Sequence, residues 1–223
     1  MEYNLTRSKR RTITIRVTKD AAVEVRAPMR MPLSSIDHFV NSKDKWIQKH
    51  VKEALDSIES RNSFDLSFGS TVMLRGKHFL IVPSDEKKSR LQNNELLIPK
   101  NLSGEKILDS VRALLKEHAK QYLPERTEYF AGLMEVVPTS VRIGSATTRW
   151  GSCNSNGKIT YSWRIIMCDD SLIDYLVVHE LAHLLQMNHS SKFWMEVEKI
   201  IPDYKNRRKH LKEFNKKLYC EPW

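Results

Sequence analysis

The chain has 223 residues, of which 40% are apolar and 29% are charged, and its formal net charge is +10. This composition excludes an intrinsically disordered chain, because enough apolar side chains are present to build a core. No apolar run approaches the roughly 18–20 residues that a membrane-spanning helix needs, and the basic N-terminus lacks the apolar segment of a secretory signal. We therefore expect a soluble, cytoplasmic protein with no membrane partner.

Two segments near the N-terminus alternate apolar and polar residues with a period of two. Residues 11–17 and 22–27 flank the polar pair Lys19-Asp20, so together they predict a β-hairpin. Residues 34–59 carry apolar side chains at a spacing of three to four residues, which predicts a helix.

A second group of short β-prone segments follows. Residues 71–83 predict two strands around Arg75-Gly76-Lys77. Leu91 and residues 96–98 flank Asn93-Asn94, which predicts a second tight turn between strands.

The remaining segments predict mainly helices. Residues 105–122 present one apolar face, and Pro124 is expected to end or kink that helix. Residues 149–163 contain an Asn-Gly pair between β-prone residues, which predicts another hairpin. A helix follows from Ser171, and two more are predicted between residues 190 and 217.

These elements indicate an α+β protein with a β-hairpin-rich N-terminal part and a helical C-terminal half. We predict a β-rich part with one long helix in residues 1–100 and a second domain in residues 101–223. No internal repeat or low-complexity linker separates the two parts, so a single continuous domain stays open as the alternative.

The segment HELAH at residues 179–183 carries two histidines four residues apart. On a helix, this spacing rotates one side chain from the other by only about 40° and displaces it by about 6 Å, so His179 and His183 can share one ion. Zinc takes histidine nitrogens at about 2.0–2.1 Å, and catalytic sites combine three protein ligands with water. A chance HExxH pattern on a surface helix is the alternative, but the residues around this motif are apolar.

His189 is the predicted third ligand. It follows His183 by six residues and would lie on the wrong face of a continuous helix, so the chain must turn between them. Asn188 tolerates the left-handed conformation that ends many helices, and Ser190 can cap the next helix. The spacing resembles that of metzincins, although Gln186 stands where they have a glycine. A capping or surface histidine is the alternative role for His189.

Glu180 directly follows the first histidine and is the predicted general base. One zinc ion per chain would lower the pKa of a bound water from 15.7 toward about 7. Glu180 would accept the proton of that water and pass it to the leaving group. The sequence therefore predicts a metal-dependent hydrolase.

A few other residues are candidates for the site. Arg149 is expected to bind an anionic substrate group or an oxyanion, and a structural ion pair is its alternative role. Tyr161 and Tyr204 are candidate donors to a transition-state oxygen. Cys153, Cys168 and Cys220 fit neither a disulfide framework nor a CxxC metal motif, so we expect reduced thiols.

Four segments of the C-terminal half carry a family resemblance. They are RWGSC at 149–153, Trp163-Arg164, IDYLVVHELAHLLQMNHSSKFW at 173–194 and PDY at 202–204. Together they resemble the YgjP-like metallopeptidase family, which is related to the SprT-like zincins. The resemblance implies a zincin-like catalytic domain with zinc on His179, His183 and His189 and a catalytic Glu180. His210 stands where the family usually has tryptophan, and we do not assign it to the metal.

Three functions stay open, with either a peptide or a nucleotide as substrate. The first is a zinc metallopeptidase. The second is a zinc-dependent nucleotide phosphohydrolase of pyrophosphatase type, because the net charge and Arg149 suit phosphate groups. The third is a DNA-associated protease of SprT-like type, because residues 199–217 carry eight basic side chains against two acidic ones. Such a segment attracts polyanions such as nucleic acid, and a solvated helix face is its alternative interpretation.

Overall fold

The computed structural model describes residues 2–218 and residue 223, without the side chains of residue 61 and residues 216–218. The backbone divides into two units, one ending at Phe64 and the other formed by Asp65–Leu218 with Trp223. The domain boundary between residues 100 and 101 stays a prediction. The sheet that begins at Thr71 belongs to the second unit, where it packs against later elements of the chain.

The first unit is a small sheet with two helices. Its elements are β1 (Asn4–Ser8), β2 (Thr14–Val17), β3 (Val23–Pro28), α1 (Leu33–Ser42) and α2 (Asp44–Asn62). Strand β3 lies in the middle, parallel to β1 and antiparallel to β2. The predicted N-terminal hairpin is therefore confirmed, and its first strand begins at residue 14 rather than 11.

The helix predicted over residues 34–59 is two helices instead of one. Lys43 leaves helical geometry with φ −106° and ψ 11°, and α2 begins at the next residue. The break allows Ile36 and Val40 of α1 and Ile47 of α2 to pack into the same core, together with the inward residues of β3.

The second unit contains two further sheets and four helices. Its first sheet is β4 (Thr71–Leu74), β5 (Lys77–Ser84), β6 (Arg90–Gln92) and β7 (Glu95–Pro99), in the order β4-β5-β7-β6. Its second sheet is β8 (Ser140–Gly144), β9 (Gly151–Cys153) and β10 (Lys158–Ser162), in the order β8-β10-β9. Its helices are α3 (Glu105–Leu133), α4 (Asp170–Leu185), α5 (Ser191–Ile200) and α6 (Tyr204–Leu218), with a 3-10 helix at Trp163–Met167.

The predicted turns of the second unit are confirmed. Asn93 and Asn94 both have positive φ values, 47° and 63°, as a two-residue hairpin turn requires. Arg75 and Gly76 form the same kind of turn between β4 and β5, with φ values of 50° and 71°. Such turns match the right-handed twist of the strands that they connect.

The turn between β4 and β5 packs against the beginning of α4. A methyl group at Gly76 would lie only 2.7 Å from Cβ of Asp169, so this approach requires glycine. The Arg75 guanidinium donates two hydrogen bonds, of 2.7 and 2.6 Å, to the carboxylate of Asp170. These contacts fix the position of the first turn of α4.

Helix α3 continues through Pro124 to Leu133, so Pro124 does not end it, and the alternative that it kinks the helix stays a prediction. Proline removes one backbone hydrogen bond from a helix interior, at a cost of about 3 kcal/mol. Residues beyond it, including Thr127 and Phe130, are buried, and their packing offsets that cost. Arg126, also in this segment, forms a two-bond ion pair with Asp174 of α4, at 2.8 Å for each bond.

Helix α4 lies at the centre of the second unit. Ile173, Val177 and Leu181 have no exposed surface, and apolar residues occupy nearly its whole circumference. A helix of this composition is buried on all sides. The predicted α+β class is confirmed, with strands toward the N-terminus and helices in the C-terminal half. No helix in the part of the chain that the structure describes combines the length and apolar content of a membrane span.

Candidate metal centre

The buried helix α4 carries His179, Glu180 and His183. Asp169 caps it, because its carboxylate accepts a 3.0 Å hydrogen bond from the backbone N–H of Leu172. The spacing of four residues places both imidazoles on one face, with ring centroids 5.1 Å apart. His183 is buried, with 9% of its surface exposed, and His179 is partly buried.

The chain turns after α4 and brings His189 back over this face. Gln186 ends the helix in an extended conformation, with φ −142° and ψ 103°. The predicted left-handed conformation at Asn188 is wrong, because Asn188 is not among the residues with positive φ. Its side-chain oxygen instead accepts a 3.3 Å hydrogen bond from the backbone N–H of Ser190, the residue that precedes α5.

The three histidines converge on one point. Their ligand nitrogens all lie within 4.8 Å of one another. Nε2 of His179 and Nε2 of His189 are 3.2 Å apart. Two ligands at 2.0–2.1 Å from a tetrahedral ion are separated by about 3.3 Å, so this spacing fits a metal with zinc-like bond lengths. His179, His183 and His189 are therefore the residues that can hold a metal ion.

An aromatic side chain closes the apolar side of the histidine cluster. Phe193 of α5 is fully buried, and its ring centroid lies 5.0, 4.7 and 4.7 Å from those of His179, His183 and His189. Burial is the largest cause that lowers the pKa of His179 to about 3, and the neighbouring histidines lower it further. The ring is thus neutral at physiological pH, which is the form that binds metals.

Glu180 lies beside the cluster and is only 4% exposed. Burial raises the pKa of its carboxyl group to about 7, while the charge of Arg149 and the backbone amide of Cys153 act in the opposite direction. Its Oε2 atom is buried without a hydrogen-bond partner among the described residues. A buried carboxylate oxygen needs a partner, so this atom is suited to accept a proton from a water or substrate.

Gly151 allows this position of Glu180 and was not predicted. A methyl group at residue 151 would lie 2.5 Å from Oε1 of Glu180 and 2.9 Å from its Cδ and Cγ atoms. The carboxylate thus rests directly on the backbone of β9, where only glycine leaves room. The signal in the sequence is the glycine of RWGSC, the segment that also carries Arg149 and Cys153.

Arg149 lies in the loop that leads into β9, and its side chain is exposed. It forms no ion pair within 4.0 Å among the described side chains, and its charge acts on Glu180 through space. Arg164 holds the beginning of this loop by donating a 3.1 Å hydrogen bond to the carbonyl oxygen of Ser145. The structure therefore places Arg149 near the site without a structural partner.

Tyr161 and the cysteines are further candidate residues. Tyr161 is fully buried and accepts a 3.2 Å hydrogen bond from Thr127, and burial raises the pKa of its hydroxyl group. It belongs to the core. Cys153 and Cys168 are free thiols, and neither belongs to the group of ligand atoms. Cys220 lies outside the described residues.

The chain is similar to known metallopeptidases. A family model described as "YgjP-like, metallopeptidase domain" matches residues 11–214. The structure is also similar to the metallopeptidase zymogen abylysin of Pyrococcus abyssi, at 26% identity over 40% of this chain and 90% of that chain, with a TM-score of 0.38. For the zymogen jannalysin of Methanocaldococcus jannaschii, the identity is 17% over 43% and 97%, and the TM-score is 0.38. A search of the curated proteins finds no match.

The family match reaches from the N-terminal hairpin into α6. It is much longer than the HELAH motif, which alone occurs by chance in unrelated helices. The resemblance first seen in residues 149–204 is thereby confirmed over most of the sequence. The chain belongs to the YgjP-like metallopeptidase family and is a metal-dependent hydrolase.

Proposed function

We propose that the chain is a metallopeptidase that binds one zinc ion through His179, His183 and His189 and uses Glu180 as general base. The observation that carries the proposal is the convergence of three histidine nitrogens within 4.8 Å beside a buried carboxylate. Structural zinc sites usually have four protein ligands, often cysteines, whereas catalytic sites have three and leave one position open. A zincin-like fold is part of this proposal.

A bound zinc ion supplies Lewis-acid chemistry, since it makes water more acidic and polarises a substrate carbonyl. Glu180 takes up the proton that the attacking water loses and delivers it to the leaving amine. A carboxyl group with a pKa of about 7 can both accept and release a proton near neutral pH. Phe193 excludes water from one side of the histidine rings.

The position of β9 supports a peptide substrate. It is the edge strand of the sheet β8-β10-β9, and no described strand pairs with its outer side. An extended peptide can add to an open sheet edge through backbone hydrogen bonds. Because Gly151 of β9 touches Glu180, a peptide at this edge would pass beside the general base.

Removing the metal is the test of this proposal. The full chain, loaded with zinc, is incubated with a proteome-derived peptide library, and new termini are identified by mass spectrometry. We expect cleavage that stops when a chelator strips the zinc and returns when one equivalent is added. Chelator-resistant cleavage, or no cleavage by the zinc-loaded chain, would refute the proposal.

A nucleotide phosphohydrolase is the second candidate, favoured by the charge of Arg149, which acts on Glu180 and forms no ion pair among the described side chains. Phosphate groups require cationic partners of this kind. Zinc-dependent release of pyrophosphate or phosphate from nucleoside triphosphates, measured in the same preparations, would support it. No release from any of the common nucleoside triphosphates would remove it.

A contact with nucleic acid through residues 199–217 is a separate proposal. The side chains of Lys205, Arg208, Lys209 and Lys212 on α6 are exposed, which supports it. Electrostatic binding to DNA weakens steeply as salt rises. The test is the fluorescence anisotropy of a labelled DNA duplex at low salt, where an unchanged signal would end this proposal.

A further inference from the structure

A second arginine lies close to the candidate metal centre, on a helix that follows the histidine motif in the sequence. Arg208 of α6 is exposed, and its guanidinium carbon lies 4.8 Å from the centre of the Trp194 ring. The Trp194 ring in turn lies 5.7 Å from the His189 ring at an angle of 26°, and 5.8 Å from the His179 ring. One aromatic side chain therefore separates this guanidinium from two of the candidate metal ligands.

The position of Arg208 is fixed by packing rather than by an ion pair. Tyr204, four residues earlier on α6, stacks on Trp194 with ring centroids 5.1 Å apart and an angle of 13° between the planes. Residues four apart share one face of a helix, so Tyr204 and Arg208 both lie over Trp194. Arg208 is exposed while its guanidinium lies over the Trp194 ring, so its paired hydrogen-bond donors can reach a planar anion.

No carboxylate among the described side chains neutralises the charge of Arg208. Five other arginines of the second unit form ion pairs with carboxylates: Arg75 with Asp170, Arg90 with Glu86, Arg112 with Asp109, Arg126 with Asp174 and Arg207 with Asp203. Arg208 has no such partner within 4.0 Å among the described side chains.

We propose that Arg208, held on Trp194, binds a carboxylate group of the substrate and gives the enzyme a preference for acidic peptides. This inference rests on the proposed peptidase function. Arginine binds carboxylates through two parallel hydrogen bonds, which adds geometric selectivity to the charge. The carboxylate is either an Asp or Glu side chain or the C-terminus of a short peptide, since both present the same planar group.

The library experiment distinguishes these two sources. The peptides are supplied once with free C-terminal carboxylates and once as C-terminal amides. The zinc-loaded wild-type chain is expected to cleave most rapidly where a carboxylate occupies one fixed position relative to the cut bond. If only the free acids show this preference, the group is the C-terminal carboxylate; if both sets show it, the group is a side chain.

Arg208→Gln removes the charge and the paired donors. We expect it to lower kcat/KM for the acidic peptides by about 10- to 100-fold, mainly through KM, because hydrogen bonds to charged groups have this effect. Rates for neutral peptides should stay within about threefold. Lys209→Gln is the matched control, since it removes the same charge one position along α6, about 100° around the helix. Arg208→Lys should restore only part of the preference.

The outcomes separate the inference from the proposed function. An acidic preference that is absent in the wild type, or unchanged in Arg208→Gln, overturns the inference and leaves the peptidase intact. Metal-dependent cleavage that is absent for all peptides refutes both. Arg208-dependent hydrolysis of nucleoside triphosphates without peptide cleavage would likewise overturn the carboxylate assignment, because the anion would then be a phosphate.

Discussion

Glu180→Gln is expected to lower kcat for peptide cleavage by about 10²- to 10⁴-fold, because a positioned general base contributes about that much to the rate. Glutamine has nearly the same shape but cannot accept the proton. The side chain is 4% exposed and has no partner at Oε2 among the described residues, so a neutral amide fits the same space. The measurement is kcat and KM on a peptide identified by the library, together with zinc content.

The zinc content of Glu180→Gln serves as the control. Glu180 is not among the three residues whose nitrogens converge, so the variant should hold as much zinc as the wild type. Activity near the wild-type level with full zinc would show that another group accepts the proton. Loss of zinc would show instead that Glu180 supports the metal directly.

Gly151→Ala is expected to have the second largest effect, a fall in kcat of roughly 10²-fold, because a displacement of about 1 Å at a catalytic group can cost that much. The added methyl group would approach Oε1 of Glu180 to 2.5 Å. Since real contacts of this kind are not closer than about 3 Å, Glu180 or β9 must move. The measurement is again kcat on the same peptide, with zinc content determined on the same sample.

Ser152→Ala is the matched control for this substitution. It changes the next residue of β9, whose side chain lies on the other face of the strand. We expect Ser152→Ala to retain activity within about threefold, as is usual for changes away from the site. Equal activity of Gly151→Ala and wild type would contradict the close packing of Glu180 on β9.

The local part of the site could be predicted from the sequence. HELAH places His179 and His183 on one helical face through spacing alone. His189 could be predicted because it is a ligand-type residue six positions after His183, and a turn between the two can bring it to the same ion. Gly151 and Phe193 were missed because their contacts join α4 to β9 and to α5, and no periodic pattern records such approaches.

The fold shows the same division between local and tertiary effects. The hairpin turn at Asn93-Asn94 could be predicted because its residue types tolerate positive φ values. Two helix boundaries could not. The break at Lys43 depends on which residues enter the core, and the passage through Pro124 depends on burial of the following turns. Tertiary packing of this kind overrides the local preference.

The three-histidine site is tested most directly by metal content. Wild type and His189→Ala are purified identically, and bound metals are measured by inductively coupled plasma mass spectrometry. We predict about one zinc ion per wild-type chain and a sharp reduction in His189→Ala, because two histidines from one helix leave the ion with too few protein ligands. Equal zinc in both proteins would contradict the site, since the third ligand would then lie elsewhere in the chain.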